Sequence, residues 1–393
     1  MVIKNIYDVV IIGGAAIGSA TAFFLNRHAG FSGSVLVIEK DPGYTKCSTT
    51  LSMSSIRQQF STPANILASA FGVEFIKQAK SEFGALGDVS FCENGYLIMA
   101  SHAAADALRA NHEIQCSLGA DNVLLNPDEI SGRFPWMSDE GVALGCLGLG
   151  GEGWFDPHSL LNLYITEAKA SGVDYITDEV VDLKISGGRV TAVHLASGEK
   201  ISCGQAVNAA GPAAAKIAAM AELALPVEPR KRLIYVFDCR EKDSITNSPL
   251  FFDPNGVFCR PEGAYFLTGV SPPEDQDPVC TDFEITYDLF EEMIWPTLAN
   301  RVPAFKAIKL VNAWAGHYAY NTIDQNALLG SLPDVPNLYF ANGFSGHGIQ
   351  QSPAVGRGIA ELITDGIFTS LDLSGLSVER LLSGHTVREV NVF

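Results

Sequence analysis

The chain has no run of Lys or Arg longer than the three residues Arg230 to Arg232, and its basic residues are few. It carries 26 Lys and Arg against 44 Asp and Glu, a formal net charge of −18 over 393 residues. Nucleic acids and anionic membrane surfaces are recognised through basic patches. Neither is expected as a main partner, and membrane contact is expected to be peripheral at most. Uninterrupted apolar runs stay short of the roughly 18 residues that a spanning helix requires. Cysteine is never spaced as Cys-x-x-Cys: the eight are Cys47, Cys92, Cys116, Cys146, Cys203, Cys239, Cys259 and Cys280. No metal site is expected from them. They read as reduced, mostly buried thiols of a cytoplasmic protein. Strand-like sequence begins by Tyr7, so no signal peptide is expected. No internal repeat stands out. What remains is a chain with 47% hydrophobic residues, long enough for two or three domains' worth of core.

The informative stretch is "YDVVIIGGAAIGSATAFFLNRHAGFSGSVLVIEKD", Tyr7 to Asp41. Val9 to Ile12 is a β-branched run, as in a strand buried on both faces. Gly13 and Gly14 break it. A helix is expected from Ala16 to about His28, and Gly18 would let it pack close to the sheet. A second buried strand follows at Val35 to Ile38, ending in Glu39. This is a β-turn-α-β dinucleotide unit with a helix N-terminus offering N–H groups to a phosphate. In the G-x-G-x-x-G frame only the middle position fails, where Ala15 replaces glycine. A methyl group takes some room but removes no donor. Glu39 is placed to accept ribose hydroxyls, and an acid there disfavours NADP.

Downstream, the chain does not continue as a nicotinamide-binding Rossmann sheet. Phe91 to Ala100 reads as a strand, followed by a helix from about Ala103 to Leu118. "DEVVDLKISGGRVTAVHLASGEKISCGQAVNAAG" reads as a meander ending in a buried strand and glycine. "NLYFANGFSGHGIQQSPAVGRGIAELI" repeats strand, glycine turn and helix. The chain is therefore expected to return to its nucleotide half three times.

These segments, with "CSTTLSMSSIRQQFS", resemble the D-amino-acid-oxidase/sarcosine-oxidase superfamily of FAD-dependent oxidoreductases over nearly the whole length. "WFDP", "PVEPRKR", "NRVPAF" and "WAGHYAYNTIDQN" resemble most a branch of it implicated in assembly of a respiratory complex, of which this would be a shorter relative without a transit peptide. The resemblance implies an α/β (α+β) fold: a discontinuous Rossmann-like FAD domain (1–90, 145–225 and 318–393) with an antiparallel substrate domain (91–144 and 226–317). It implies non-covalent FAD. Gly13, Gly14, Ala15, Ala16, Ile17, Gly18, Glu39 and Lys40 would hold its ADP half, and Ser48, Thr49 and Thr50 the pyrophosphate and flavin edge. Val180 would meet adenine through its backbone. Ala210 and Gly211 would approach the ring system, and Gly343, Gly346, His347, Gly348 and Ile349 would line it.

The same resemblance puts Arg57 at a carboxylate-binding position, suited to the two-pronged grip of a guanidinium. Tyr318 and Tyr320, at alternate strand positions, would share one face toward substrate. His347 would be exposed enough to act at the flavin and, if protonated, to supply a positive charge. His158, after Asp156-Pro157, reads as helix-initiating. Gln350 stands where some relatives bear a second cation. Leu267 or Thr268 stands where sarcosine oxidase has an oxygen-promoting lysine, and His317 or Tyr318 where it has its flavin-bound cysteine. The expected substrate is a small carboxylate-bearing amine of the sarcosine, dimethylglycine or proline type, oxidised by hydride transfer to flavin N5. The expected acceptor is a protein or quinone. Two other readings stand: an assembly factor whose FAD is mainly structural, and a 2-hydroxy-acid dehydrogenase.

Overall fold

The computed structural model describes residues 4–390. Residues 1–3 and 391–393, which the expected FAD segments include, lie outside the described residues. Two eight-stranded sheets organise the chain.

The first sheet runs in the order Leu328–Leu332, Val335–Asn342, Lys200–Asn208, Ile6–Ile12, Val35–Glu39, Asp174–Thr177. Its centre is parallel: Ile6–Ile12 lies between Lys200–Asn208 and Val35–Glu39, and Val35–Glu39 pairs in turn with Asp174–Thr177. Val9 to Ile12 are buried on both sides of this sheet, as their unbroken apolar run anticipates. Each such side chain contributes about 1.5–3 kcal/mol by leaving water. The meander forms as expected: Val180–Ser186 and Arg189–Leu195 pair antiparallel, and the latter joins Lys200–Asn208.

Three helices cross on one face of this sheet. Ala16–Arg27 and Gly348–Thr364 meet where a side chain at Gly356 would strike the Ala20 backbone at 2.6 Å. Pro63–Phe83 meets the second of them where a Cβ at Gly72 would lie 2.3 Å from the Gln350 carbonyl. Glycine at those two crossings lets the three helices approach closely.

The second sheet runs Ile308–Asn321, Val227–Cys239, Tyr265–Gly269, Phe258–Glu262, Leu250–Phe252, Tyr96–Ala100, Leu144–Gly148, Asn122–Leu125. It is antiparallel except where Leu250–Phe252 joins Tyr96–Ala100 in parallel. That pair is the seam between two distant chain segments. The expected boundaries shift in two places. Leu144–Gly148 belongs to this sheet, not to the FAD segment expected to begin at 145, because it hydrogen-bonds Tyr96–Ala100 and Asn122–Leu125. The expected break at 317/318 falls inside Ile308–Asn321, a strand paired with Val227–Cys239 along its length.

Candidate active site

The first glycine turn is built by close approach. Gly13 has φ +99°, and a Cβ there would lie 2.5 Å from the Ala209 carbonyl oxygen. A Cβ at Gly18 would lie 1.8 Å from the Gly13 oxygen. Neither position admits a side chain. Ala15 sits at the helix N-cap with φ −72° and ψ −166°, an ordinary extended conformation, so its methyl group costs no strain. The helix has no side-chain cap of its own, which leaves its positive end for an anion. Gly14, Ala16 and Ile17 complete this turn.

Glu39 accepts the Gly14 N–H and the Asp41 N–H, each at 2.8 Å and each on a different oxygen. A carboxylate takes up to about four hydrogen bonds, so capacity for ribose hydroxyls remains. Lys40 lies within 3.9 Å of Glu179, which brings it beside Val180 at the start of the meander. Thr49 Oγ1 accepts the Ala16 N–H at 3.2 Å, tying the Ser48–Thr50 loop to the helix N-terminus. Ser48 Oγ donates to the His317 carbonyl at 2.6 Å, and Thr50 Oγ1 to that of Tyr44 at 2.5 Å. Ala210 and Gly211 follow directly on Ala209, and Gly211 has φ +54° with open space at its Cβ position. One bare glycine turn, a helix end whose first N–H is held by Thr49, an acid and three hydroxyl residues thus converge, and they fit the ADP and pyrophosphate portion of FAD.

The C-terminal turn faces this cradle. Gly343 has φ +73° and Gly346 φ +100°. Ser345 between them also has a positive φ, +49°, a strained state for a non-glycine residue that recurs at functional sites. Ile349 shares a core cluster with Ala16 and Ala20, which fixes Gly348 and the start of its helix against the first one. His347 differs from expectation: it is 5% exposed, packed edge-on to Phe60 with ring centroids 4.8 Å apart. Burial and the adjacent Arg57 charge push its pKa down to about 3, against a smaller opposing pull from Glu389. The imidazole is neutral near pH 7 and supplies no positive charge.

Arg57 is 3% exposed. Its guanidinium lies 4.0 Å from the Phe60 ring centroid and 5.9 Å from that of Tyr96. Nη1 donates to the Gln59 carbonyl at 2.5 Å, and Nη2 lies 3.4 Å from His347 Nε2. Gln350 departs from the role of a substrate-facing group. Its Oε1 accepts the Arg57 main-chain N–H at 2.9 Å and the Ser69 hydroxyl at 3.3 Å, so it positions Arg57.

Tyr318 and Tyr320 do share a face. The Tyr318 ring fills the space beside Gly346, where a Cβ would lie 2.6 Å from two ring carbons. Burial raises its phenol pKa, opposed by the charges of Arg232 and Arg57. Tyr320 accepts a hydrogen bond from Gln325 Nε2 at 2.6 Å. His158 lies in the first turn of the helix Pro157–Ala170, its N–H held by the N-cap Asp156.

Four charged residues escaped the sequence reading. Arg232 stacks over Tyr318 at 4.7 Å, from the strand paired with Tyr318's own. Arg260 lies directly across from Leu267, over the Trp154 ring at 5.2 Å. Its guanidinium is ion-paired with Glu262 and donates to the Pro261 and Met53 carbonyls. Glu152 is fully buried and accepts from Gln58 N–H at 2.6 Å and Gln59 Nε2 at 2.7 Å. Burial lifts its pKa to about 7, although those two bonds and Arg57 oppose the rise. Glu389 reaches back to accept from Ser61, Thr62 and Asn65 at 2.7–3.0 Å. No sequence signal marks these residues, because their partners are remote in the chain. Among the described residues no group of His, Cys, Asp or Glu could hold a metal, and no helix is long and apolar enough to cross a membrane.

Comparison with known proteins agrees with this geometry. The family model for DAO, FAD dependent oxidoreductase, matches residues 8–362. The chain is 39% identical to FAD-dependent oxidoreductase domain-containing protein 1 of Xenopus laevis, over 98% of this chain and 84% of that one. It is 26% identical to glycine oxidase of Geobacillus kaustophilus, over 95% and 97% of the two chains. The crystal structure of L-proline dehydrogenase from P. horikoshii superposes with a TM-score of 0.88 and 27% identity, covering 98% of this chain and all of that one. With the glycine cradle, the acid at Glu39 and the matching fold, the chain belongs to the DAO family of FAD-dependent oxidoreductases.

Proposed function

We propose that this oxidoreductase oxidises the C–N bond of a small N-substituted amino acid of the sarcosine, dimethylglycine or proline type. Bound FAD would supply the hydride acceptor, at N5. The observation that carries the reading is Arg57: a buried guanidinium, backed by aromatic rings, whose charge acts on the phenol of Tyr318, the ring that covers Gly346. A guanidinium in such surroundings grips a carboxylate with two parallel bonds. The neutral imidazole of His347 can accept a hydrogen bond from Arg57 and so orient it. Tyr318, with its raised pKa, stays a protonated phenol and can donate to a substrate oxygen. Names of relatives point the same way, since they include a sarcosine oxidase subunit, a glycine oxidase and an L-proline dehydrogenase.

The FAD is held non-covalently in this reading, the acceptor is a protein or quinone, and the location is cytoplasmic. All eight cysteines are unpaired, in keeping with a reducing compartment. The test is anaerobic bleaching of the flavin by a panel of amines. Bleaching by an N-methyl or cyclic amino acid is expected. Bleaching by 2-hydroxy acids alone would replace the substrate class, and no bleaching by any member would leave FAD a structural role.

A further inference from the structure

Between the strand Tyr265–Gly269 and Phe290, residues 271–287 form one long irregular segment broken by a short 3-10 turn at Glu274–Gln276. It carries five acids, Glu274, Asp275, Asp277, Asp282 and Glu284, and no Lys or Arg. Most of it is exposed, and Asp277 is its one buried residue. Asp277 reaches inward to Arg232, and the two meet as a fork: Nη1 to Oδ1 and Nη2 to Oδ2, both at 2.8 Å. Arg232 is 8% exposed and Asp277 6%.

The place of this pair in the site makes it more than an anchor. Arg232 shares its face of the sheet with Ile234 and Val236, which pack with Tyr96, Phe252 and Leu267. That is the face on which Tyr318 covers Gly346. Its guanidinium lies 4.7 Å over Tyr318, and both Arg232 and Arg57 act on the Tyr318 phenol. Arg232 Nε is buried and donates to no protein atom. The segment is also tied by Lys231 to Asp282 at 2.7 Å, by Cys280 N–H to the Pro229 carbonyl at 2.9 Å, by the Tyr235 hydroxyl to the Thr286 carbonyl at 2.7 Å, by Arg388 to Glu274 at 3.1 Å, and by Phe283 against His317. A long loop that inserts one carboxylate into a buried guanidinium stacked on Tyr318 has the form of a lid carrying a stand-in ligand.

We propose that Arg232 is a second anion receptor for the substrate, and that Asp277 occupies it until an acidic group of the ligand takes its place. The inference rests on the reading of Arg57 as the first carboxylate ligand. It specifies, within N-substituted amino acids, those that bear a second acidic group. The exchange is balanced, since one carboxylate leaves the guanidinium as another arrives. Residues 271–287 then lose the tie of their one buried residue.

The test uses the FAD-loaded full chain and two acids of equal length, glutarate and valerate, which differ by one terminal carboxylate. Flavin absorbance reports their binding. In Asp277→Asn, glutarate is expected to bind about tenfold tighter than in the wild type, because its charged competitor is gone, while valerate is unchanged. Arg232→Gln should erase any preference for glutarate. Should the loss of Asp277 impair folding, hydrogen exchange of the wild-type protein decides: glutarate should raise exchange across 271–287, and valerate should not. An unchanged ratio of affinities in Asp277→Asn, or exchange indifferent to glutarate, overturns the proposal. If valerate binds through Arg57 while Arg232→Gln and Asp277→Asn alter nothing, only this inference fails. If neither acid perturbs the flavin, the reading of Arg57 fails with it.

Discussion

The main-chain N–H of Arg57 donates to the side-chain oxygen of Gln350 at 2.9 Å, across 293 positions of sequence. This bond pins the segment bearing the guanidinium to the helix that follows the C-terminal glycine turn. Gln350→Leu keeps the volume but leaves a buried N–H without its acceptor, at a cost of about 1–3 kcal/mol. The expected result is a lower Tm and a raised KM with kcat less affected. Gln350→Glu restores an acceptor and should restore KM. An unaltered KM in the leucine variant would show that Arg57 is positioned without Gln350.

Arg57→Lys keeps the charge and loses the fork. Substrate binding should weaken by about 2 kcal/mol, roughly thirtyfold in KM, while FAD affinity stays near that of the wild type. Steady-state kinetics and flavin titration separate the two. Turnover equal to the wild type would assign Arg57 to structure alone.

Glu39→Ala removes the acceptor of the Gly14 and Asp41 N–H groups together with the expected ribose contact. The purified variant should carry clearly less FAD per chain, measured as the ratio of flavin to protein absorbance. The wild type should be yellow with one FAD per chain and no NAD(P). Full occupancy in the variant would remove Glu39 from the cofactor site.

Such predictions show which parts of the site the sequence revealed. The cradle was legible because its parts are close in the chain: Gly13, Gly18 and Glu39 fall within one β-turn-α-β unit, whose period and punctuation are local. The alternate spacing of Tyr318 and Tyr320 was legible for the same reason. The supporting groups were not. Glu152 meets Gln58 across 94 positions, and Arg232 meets Asp277 across 45, with nothing between to mark the pairing. His347 looked exposed because it lies between two glycines, yet Phe60 and Arg57 cover it from elsewhere in the fold. The boundary expected at 144/145 cuts the strand Leu144–Gly148, because pairing, not composition, decides where its residues belong.

Glu152 gives the protein a pH dependence of definite sign. Its pKa in the folded protein is about 7, above the ordinary carboxylate value of 4.5, with burial as the chief cause. Between those values the folded state keeps a proton that the unfolded state has released. The contribution of Glu152 to stability is therefore largest below about pH 4.5 and falls as pH rises through 7. His347 works in the opposite sense, its contribution being lost as pH falls below 6.5 toward 3. Melting curves at pH 5 and pH 8 isolate Glu152 when compared with Glu152→Gln, whose buried amide does not titrate. Relative to the variant, the wild type should lose Tm between pH 5 and pH 8. Equal changes in the two proteins would mean that Glu152 is ionised in the fold at both values.

Non-covalent attachment of FAD can be argued from the nucleophiles near the site. A covalent bond to the flavin needs a side chain that is reactive and near the ring. Cys47 is the cysteine next to the Ser48–Thr50 loop. Its thiol contacts the Tyr44 carbonyl at 3.4 Å, and burial raises its pKa, so little thiolate forms near neutral pH. Cys146, Cys203, Cys239 and Cys259 are buried, and burial raises their pKa values as well. Cys280 lies on the acidic segment, against Asp282 at 3.1 Å. His317 remains as the alternative: burial lowers its pKa, and its Nε2 has no protein partner. The imidazole packs edge-on with Phe283 of the acidic segment, with the ring centroids 4.5 Å apart. Acid precipitation should leave the yellow colour in the supernatant. Flavin retained in the pellet would overturn this, and its release in His317→Ala would identify the attachment.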